Sequence, residues 1–230
     1  MRTLAIGDIH GCYTALHTLE REMTFTDDDL IITVGDYVDR GPDSKSVIDW
    51  LIARHRRGGK LVALQGNHEL IMLWSRFDSL SQKSWMSSSV GGDATLASYG
   101  SAWRAARIAD VPDEHWDFLV NLTMRYHETE THIFVHASVV PEVPMSEQSD
   151  EMLFWERFKD LPPHCSGKPV ICGHTAQSNG LPKVASHGVC IDTGACKGGW
   201  LTCLDVHTSE YGQANQQGEF RTGRLDALTS

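Results

Sequence analysis

The sequence predicts an α/β protein with a single domain, on three observations. Short apolar, partly β-branched runs recur at 3–6, 30–34, 61–64, 132–135, 169–172, 189–192 and 201–206, which is the length and composition of buried strands. Helical patterns separate the early runs, and strand, loop, helix, strand is the order of an α/β arrangement. No linker-like break interrupts the runs between residue 3 and residue 206.

The elements follow in order. Run 3–6 leads into Gly7-Asp8-Ile9-His10-Gly11 and a helix over 13–23. Run 30–34 leads into Gly35-Asp36-Tyr37-Val38-Asp39-Arg40-Gly41. A helix over 44–57 then has Ser44 as its cap and Val47, Ile48, Leu51 and Ile52 on one face. Arg54, Arg56 and Arg57 suit its C-terminal dipole, and Gly58 ends it. Run 61–64 leads into Gly66-Asn67-His68-Glu69 and a helix over 69–77. Residues 78–112 are rich in serine and glycine with little apolar period, and read as a loop-rich excursion over the site. Further helices are expected at 113–120 and 149–160. The domain is read as 1–207, followed by a polar, poorly ordered tail over 208–230.

Composition narrows the function. The chain has 230 residues, 41% hydrophobic, with a formal net charge of −10. That charge argues against broad nucleic-acid binding, which needs cationic surface. It does not disfavour an anionic substrate, because divalent cations reverse the potential inside a cleft. No run approaches the ~18 apolar residues of a membrane span, and the N-terminus is too short for a signal peptide. The six cysteines contain no CxxC pair, so they read as reduced thiols and the expected location is cytoplasmic. Nothing in the sequence sets an oligomeric state.

The Gly-flanked segments all follow apolar runs, where α/β folds place ligands. Asp8 and His10 are two apart, so on an extended segment both point to one side. Asp36 could bridge two ions through its two oxygens, and Asn67 offers an amide oxygen. His136 and His174 each follow a strand-like run. Mixed imidazole, carboxylate and amide ligation suits Mn²⁺, Fe or Zn²⁺ better than Mg²⁺ or Ca²⁺. Two such ions clamp a phosphate ester and activate water. Arg40 offers a bidentate fork to phosphate. His68 could protonate the leaving oxygen, with Asp39 orienting it. Taken singly, Asp-x-His reads as a surface turn, Asp-Arg-Gly as a local ion pair and Asn-His-Glu as a helix cap. Their joint occurrence, each behind an apolar run, does not. His187 competes with His174 as a ligand and is less favoured, since His174 follows its run directly. Trp74, Trp85, Trp103 and Trp116 read as packing or loop anchors.

These three segments resemble, in order and form, the signature motifs of the PPP-type metallophosphoesterases with the calcineurin-like fold. The resemblance runs from residue 3 to about 206. It implies a central β-sandwich of mixed sheets flanked by helices. It implies that Asp8 and His10 bind one metal, Asp36 bridges, and Asn67, His136 and His174 complete a second. It further implies Asp39 and His68 as the general-acid pair, and Arg40 and Asn67 near the phosphate. Leu153-Phe154-Trp155-Glu156-Arg157 is similar to the family segment supplying a second phosphate-binding arginine, here Arg157. Ile191-Asp192-Thr193-Gly194-Ala195 resembles the last core strand and turn of bacterial and phage protein phosphatases. Two departures stand out: Ser138 where glycine is expected after His136-Ala137, and Ala176 where proline is frequent after Thr175.

The implied function is a dimetal phosphomonoesterase, with Mn²⁺ the expected ion. It would hydrolyse phosphoserine or phosphothreonine in proteins by direct attack of a metal-bound hydroxide. The alternative is a symmetrical dinucleoside tetraphosphate hydrolase. A silent phosphoprotein-binding module is less favoured, since no catalytic residue is missing. The expected partner is a phosphoprotein or small phosphoester.

Overall fold

The computed structural model describes residues 1–101 and 104–228; Trp103 lies outside the described residues. The early runs form β1 (Thr3–Ile6), β2 (Leu30–Thr33) and β3 (Leu61–Leu64). Helices α1 (Tyr13–Glu22), α2 (Ser44–Arg56) and α3 (Asn67–Ser75) follow them in turn. Helices α4 (Ser79–Trp85) and α5 (Gly92–Ser98) lie inside the 78–112 excursion. The chain continues through α6 (Asp113–Asp117), a π-helical turn at Phe118–Leu122, β4 (Thr123–Met124), β5 (Tyr126–Glu128) and β6 (Ile133–Val135). After α7 (Asp150–Phe154) come β7 (Val170–Cys172), β8 (Lys183–Ala185), β9 (Gly188–Cys190) and β10 (Asp192–Thr193). The last strands are β11 (Trp200–Asp205), β12 (Glu210–Ala214) and β13 (Phe220–Arg224).

Two mixed sheets result. One has eight strands in the order β13-β12-β11-β1-β2-β3-β4, with β10 pairing β11. Its β1, β2, β3 and β4 are parallel neighbours, while β1, β10, β12 and β13 continue it by antiparallel pairing through β11 and β12. The other sheet runs β5-β6-β7-β9-β8, parallel at its centre and antiparallel at both edges.

The period of two along each strand explains the layers. Ala5, Ile32, Leu64 and Leu204 from the first sheet meet Phe134 and Ile171 from the second, and these form the sandwich interior. The alternate residues Leu4, Ile6 and Ile31 face outward against Leu16 and Leu19 of α1 and Val47, Ile48 and Leu51 of α2. Ile133, Val135 and Cys172 face the opposite way, against Leu153 and Phe154 of α7. The predicted α/β sandwich of mixed sheets flanked by helices is the observed fold. Its parallel strands β1, β2, β3, β6 and β7 deliver their C-terminal ends to the site described below.

Several local expectations are corrected. Asp43, not Ser44, caps α2, accepting from the Ser46 N–H at 3.0 Å. The Ser44 hydroxyl turns instead to Thr95. The helix expected at 149–160 ends at Phe154, because the next residues run along the His174 loop. There the Phe158 N–H donates to Thr175 Oγ1. The excursion 78–112 holds helices α4 and α5 and a 3₁₀ turn at Ile108–Asp110, anchored in the core by Trp85 and Leu96. The tail expected to be poorly ordered supplies β12 and β13. Its polar residues misled because they are buried in pairs: Gln213 donates to Gly180 O and Thr202 Oγ1, and accepts from Arg221 Nε. All six cysteines are free thiols, and no helix is long and apolar enough to cross a membrane.

One ion pair ties the start of the chain to the α1–β2 connection. Asp29 is buried and accepts from Arg2 Nε at 3.0 Å, Arg2 Nη2 at 2.5 Å and the Thr26 N–H at 2.8 Å. The Arg2 hydrogen bond holds its carboxyl below the usual range, against the opposing effect of burial. A carboxyl with a depressed pKa stabilises the fold above its unfolded pKa and loses that contribution as pH falls through the folded value. Asp29→Asn is expected to cost about 1–2 kcal/mol near neutral pH, discounted for the half-exposed arginine. Urea unfolding midpoints should show the gap to wild type closing as pH falls below about 4.

Candidate metal centre

The predicted site residues sit on loops at strand ends whose backbone is unusual. Seven non-glycine residues among those described have a left-handed φ, and five of them are His10, Asp36, Asp39, Arg40 and His174. Left-handed backbone costs about 1–2 kcal/mol for a residue with a Cβ. It persists where neighbouring structure enforces it, and it concentrates at functional sites. Close packing is that enforcement here. A Cβ on Gly41 would lie 1.8 Å from the His10 carbonyl oxygen, and one on Gly173 would lie 1.9 Å from Asp8 Oδ1.

Glu69 binds two of these loops together. Its fully buried carboxylate accepts from the backbone N–H groups of Gly66, Asp36 and Tyr37 at 2.7–2.8 Å, and of Val38 at 3.3 Å. The Gly66 contact is the reach-back half of a capping box. Asp36 Oδ1 in turn accepts from the His68 N–H at 3.1 Å, so Asp36 serves as an anion at the N-terminus of α3. The capping reading of Asn-His-Glu and the chemical reading therefore hold together.

Hydrogen bonds from the far side of each imidazole fix which nitrogen faces the cleft. His10 Nδ1 and His136 Nδ1 lie 2.8 Å from the carbonyls of Val38 and Val34. His174 Nε2 lies 3.1 Å from the Trp155 carbonyl. A carbonyl accepts only, so each of these nitrogens carries the proton and the other presents a lone pair. His136 Nε2 and His174 Nδ1 then point at Asn67 Oδ1, at 2.9 and 3.0 Å. Asp36 Oδ1 is 3.5 Å from His136 Nε2, and Asp36 Oδ2 is 3.3 Å from His10 Nε2. Acceptors thus converge on acceptors, an arrangement that a cation among them resolves. Ligand atoms of Asp36, His136 and His174 lie within 4.8 Å of one another, as do those of His10, Asp36 and His68. The two groups share Asp36, so these residues could hold two ions with a common carboxylate.

The charges agree with this. Burial keeps His10, His136 and His174 neutral, the form that binds metal; His10 is lowered to about 3 and His174 to about 4. Burial and the Asp192 and Asp36 charges push Asp8 well above the carboxylate range. Asp192 is raised to about 6, chiefly by burial. Among the described residues, none of Asp8, Asp36 and Asp192 has a lysine or arginine ion pair. Three buried carboxylates without a cation fit a site for divalent ions. Asp8 accepts from the His174 N–H through both oxygens, at 3.2 and 2.9 Å, which fixes its orientation. Asp192 was noticed in the sequence only within a resembling segment. Its signal is the same as that of the others, an acid at the end of an apolar run before a glycine turn.

His68 differs from the other imidazoles. Its Nδ1 lies 2.6 Å from Asp39 Oδ2. Burial opposes its charge, but Asp36 and the Asp39 bond outweigh burial and raise its pKa. Asp39 is wholly buried, and its other oxygen accepts from Trp85 Nε1 at 2.9 Å and Thr95 Oγ1 at 2.8 Å. Neither Trp85 nor Thr95 was singled out as functional from sequence; both lie in the serine-rich excursion. Arg40 is exposed, and its Nη1 lies 2.8 Å from His10 Nε2. Arg157 is exposed. Its segment adjoins the site through the Trp155 carbonyl and the Phe158 N–H. His187 sits in the β8–β9 turn, away from both clusters. Ser138 is buried without a left-handed φ, so it strains nothing where glycine was expected. Trp85 and Trp116 are packed in the core as expected, whereas Trp74 is 54% exposed and stacks on Trp155 with centroids 6.5 Å apart.

Residues 1–178 match the model of the family described as calcineurin-like phosphoesterase. The chain belongs to that family. Its members use a two-metal centre, and the donor set just described fits one. This phosphoesterase is 30% identical over 207 residues to serine/threonine-protein phosphatase 1 of Salmonella typhimurium, covering 87% of this chain and 90% of that protein. It is 39% identical over 74 residues to the symmetrical bis(5'-nucleosyl)-tetraphosphatase of Proteus mirabilis, spanning 32% of this chain and 26% of that one. A solved protein provisionally described as a diadenosine tetraphosphatase matches with TM-score 0.64 at 21% identity, covering 97% of this chain and 93% of its own. A protein serine/threonine phosphatase of Saccharomyces cerevisiae matches with TM-score 0.64 at 14% identity, over 98% of this phosphoesterase and 80% of its own chain. At such identities these structural matches concern the fold.

Proposed function

We propose that this phosphoesterase is a dimetal phosphomonoesterase that removes phosphate from phosphoserine and phosphothreonine in proteins. The observation that carries the chemistry is the hydrogen-bonded His68–Asp39 pair, with His68 within 4.8 Å of His10 and Asp36, and Asp36 shared with the His136 and His174 group. Asp8, His10 and Asp36 would hold the first ion, and Asp36, Asn67, His136 and His174 would hold the second. When bound, the two ions supply Lewis-acid polarisation and a nucleophile at neutral pH, and Mn²⁺ is the proposed metal. Arg40 and Arg157 orient the phosphoryl oxygens from the rim. As the ester P–O bond breaks, its electron pair leaves with the ester oxygen. That oxygen takes the proton of His68 Nε2, and the new P–O bond comes from a water molecule whose own proton passes to solvent. Asp39 binds the Nδ1 proton, which leaves Nε2 as the acidic position and stabilises the imidazolium before transfer.

The protein substrate is supported by the end-to-end likeness to the Salmonella protein phosphatase, set against a 74-residue likeness to the tetraphosphatases. That shorter match has the higher identity, and it favours the second reading, a symmetrical dinucleoside tetraphosphate hydrolase. Both readings use the same metals and the same proton donor. The proposed location is cytoplasmic.

Chelation with EDTA is expected to abolish hydrolysis of a phosphoserine peptide, and Mn²⁺ to restore it better than Mg²⁺. The kcat/KM for phosphoserine and phosphothreonine peptides should exceed that for diadenosine tetraphosphate by about tenfold or more. The reverse preference overturns the protein-phosphatase reading and leaves the metal chemistry standing. Full activity after complete metal removal overturns the metal chemistry itself.

A further inference from the structure

The serine-rich excursion contributes two short helices, and each ends a hydrogen bond on the same oxygen. Trp85, the last residue of α4, donates from Nε1 to Asp39 Oδ1 at 2.9 Å. Thr95, inside α5, donates its hydroxyl to that oxygen at 2.8 Å. The Thr95 oxygen also accepts from the Asp39 N–H at 2.7 Å. A hydroxyl has one proton, and Thr95 spends it on Asp39; Ser44 Oγ, 3.1 Å away, is therefore the donor in its own bond to Thr95. The network is buried. Trp85, Asp39, Thr95 and Ser44 are each 0% exposed. The indole packs directly against Gly92, where a Cβ would lie 2.3 Å from it.

This arrangement determines what Asp39 can do. Its backbone is left-handed, with φ of 72°, so its direction comes from its partners rather than from local preference. One oxygen is saturated by two donors on the excursion. The other is left to His68 alone, at 2.6 Å. We propose that Trp85 and Thr95 are positioning residues for the proton donor: the excursion holds the Asp39 carboxylate in the one orientation that aims the opposite nitrogen of His68 at the leaving oxygen. The inference rests on the reading of His68 as the proton donor. It assigns the 79–98 segment a role in the chemical step.

Proton donation matters in proportion to the basicity of the leaving group. A serine alkoxide needs a proton as it departs, whereas a nitrophenolate leaves without one. Thr95→Val and Trp85→Phe are therefore expected to lower kcat on a phosphoserine peptide by about tenfold, the worth of one hydrogen bond to a buried charge. Loss on nitrophenyl phosphate should stay within about twofold, with KM for both substrates little changed. Thr95→Ser should restore the peptide rate. In a His68→Asn background, Thr95→Val should cost nothing further, because its path to the substrate is already cut. A second readout needs no metal: in the metal-free protein the His68 Nδ1 proton should resist exchange in wild type and Thr95→Ser, and exchange rapidly in Thr95→Val. If one variant fails to fold, the other supplies the same comparison.

Equal losses on the two substrates, or losses that add to that of His68→Asn, overturn the positioning role and leave the His68 reading intact. If His68→Asn itself loses equally on both substrates, the proton-donor reading falls and this inference falls with it.

Discussion

His68→Asn is expected to lower kcat for a phosphoserine peptide by about 10²–10⁴, the usual worth of a positioned general acid. Asparagine keeps a donor near the Nδ1 position toward Asp39, so no unpaired buried carboxylate is created. Asn67, the neighbouring ligand candidate, is placed by the first turn of α3, so Mn²⁺ content should stay near that of wild type. Binding of the phosphate dianion should persist too, since the proposed phosphate contacts Arg40 and Arg157 are untouched. The loss should accordingly appear in kcat with KM little changed, and should shrink on nitrophenyl phosphate. A variant that keeps full activity on the peptide sinks the assigned role. One that loses its metal shows instead that His68 belongs to the His10–Asp36 cluster, to which its distance also admits it.

How much of this was legible in the sequence depended on how locally each feature is encoded. The parallel strands and the loops behind them were legible, because an apolar run that stops at glycine is a local signal and buried strands have no other composition. His136 and His174 were found for the same reason, although they lie far from Asp36 in sequence. The tail was misread because Gln213 and Arg221 satisfy each other across a strand pair, and composition scores them as solvated. The cap of α2 was misplaced by one residue because Asp43 and Ser44 are both good caps, and only Thr95, 51 residues away, decides which one is free. Trp85 and Thr95 could not be assigned for a related reason. Their partner, Asp39, lies 46 and 56 residues earlier, and nothing in a serine-rich stretch announces a donor aimed at a buried carboxylate. Glu69 was visible in its motif, but its span was not. A capping box predicts one backbone partner, and the fold supplies four.

Glu69→Ala should therefore be the most destabilising single change in the centre. The wild-type carboxylate is the acceptor for the N–H groups of Gly66, Asp36, Tyr37 and Val38. Alanine leaves four buried donors, and orphaned buried polar groups cost about 1–3 kcal/mol each before relaxation. Water entering the gap recovers part of that, so a net loss of about 4–5 kcal/mol is expected, at the upper end for one substitution. Denaturant unfolding of the metal-free variant measures it directly. Glu69→Gln separates shape from charge, since its NH₂ must face backbone N–H groups that it cannot satisfy. It should cost about 2 kcal/mol, less than alanine but more than a neutral exchange. Both variants should also weaken Mn²⁺ binding, which titration calorimetry reads apart from activity. Glu69 joins the loop that carries Asp36 to the helix turn that carries Asn67 and His68. Releasing it lets the shared carboxylate of the two clusters move independently of Asn67 and His68, the proposed ligand and proton donor on α3. A metal affinity unchanged in Glu69→Ala would mean that the left-handed backbone at Asp36 is enforced by packing alone, and that Glu69 serves only the helix cap.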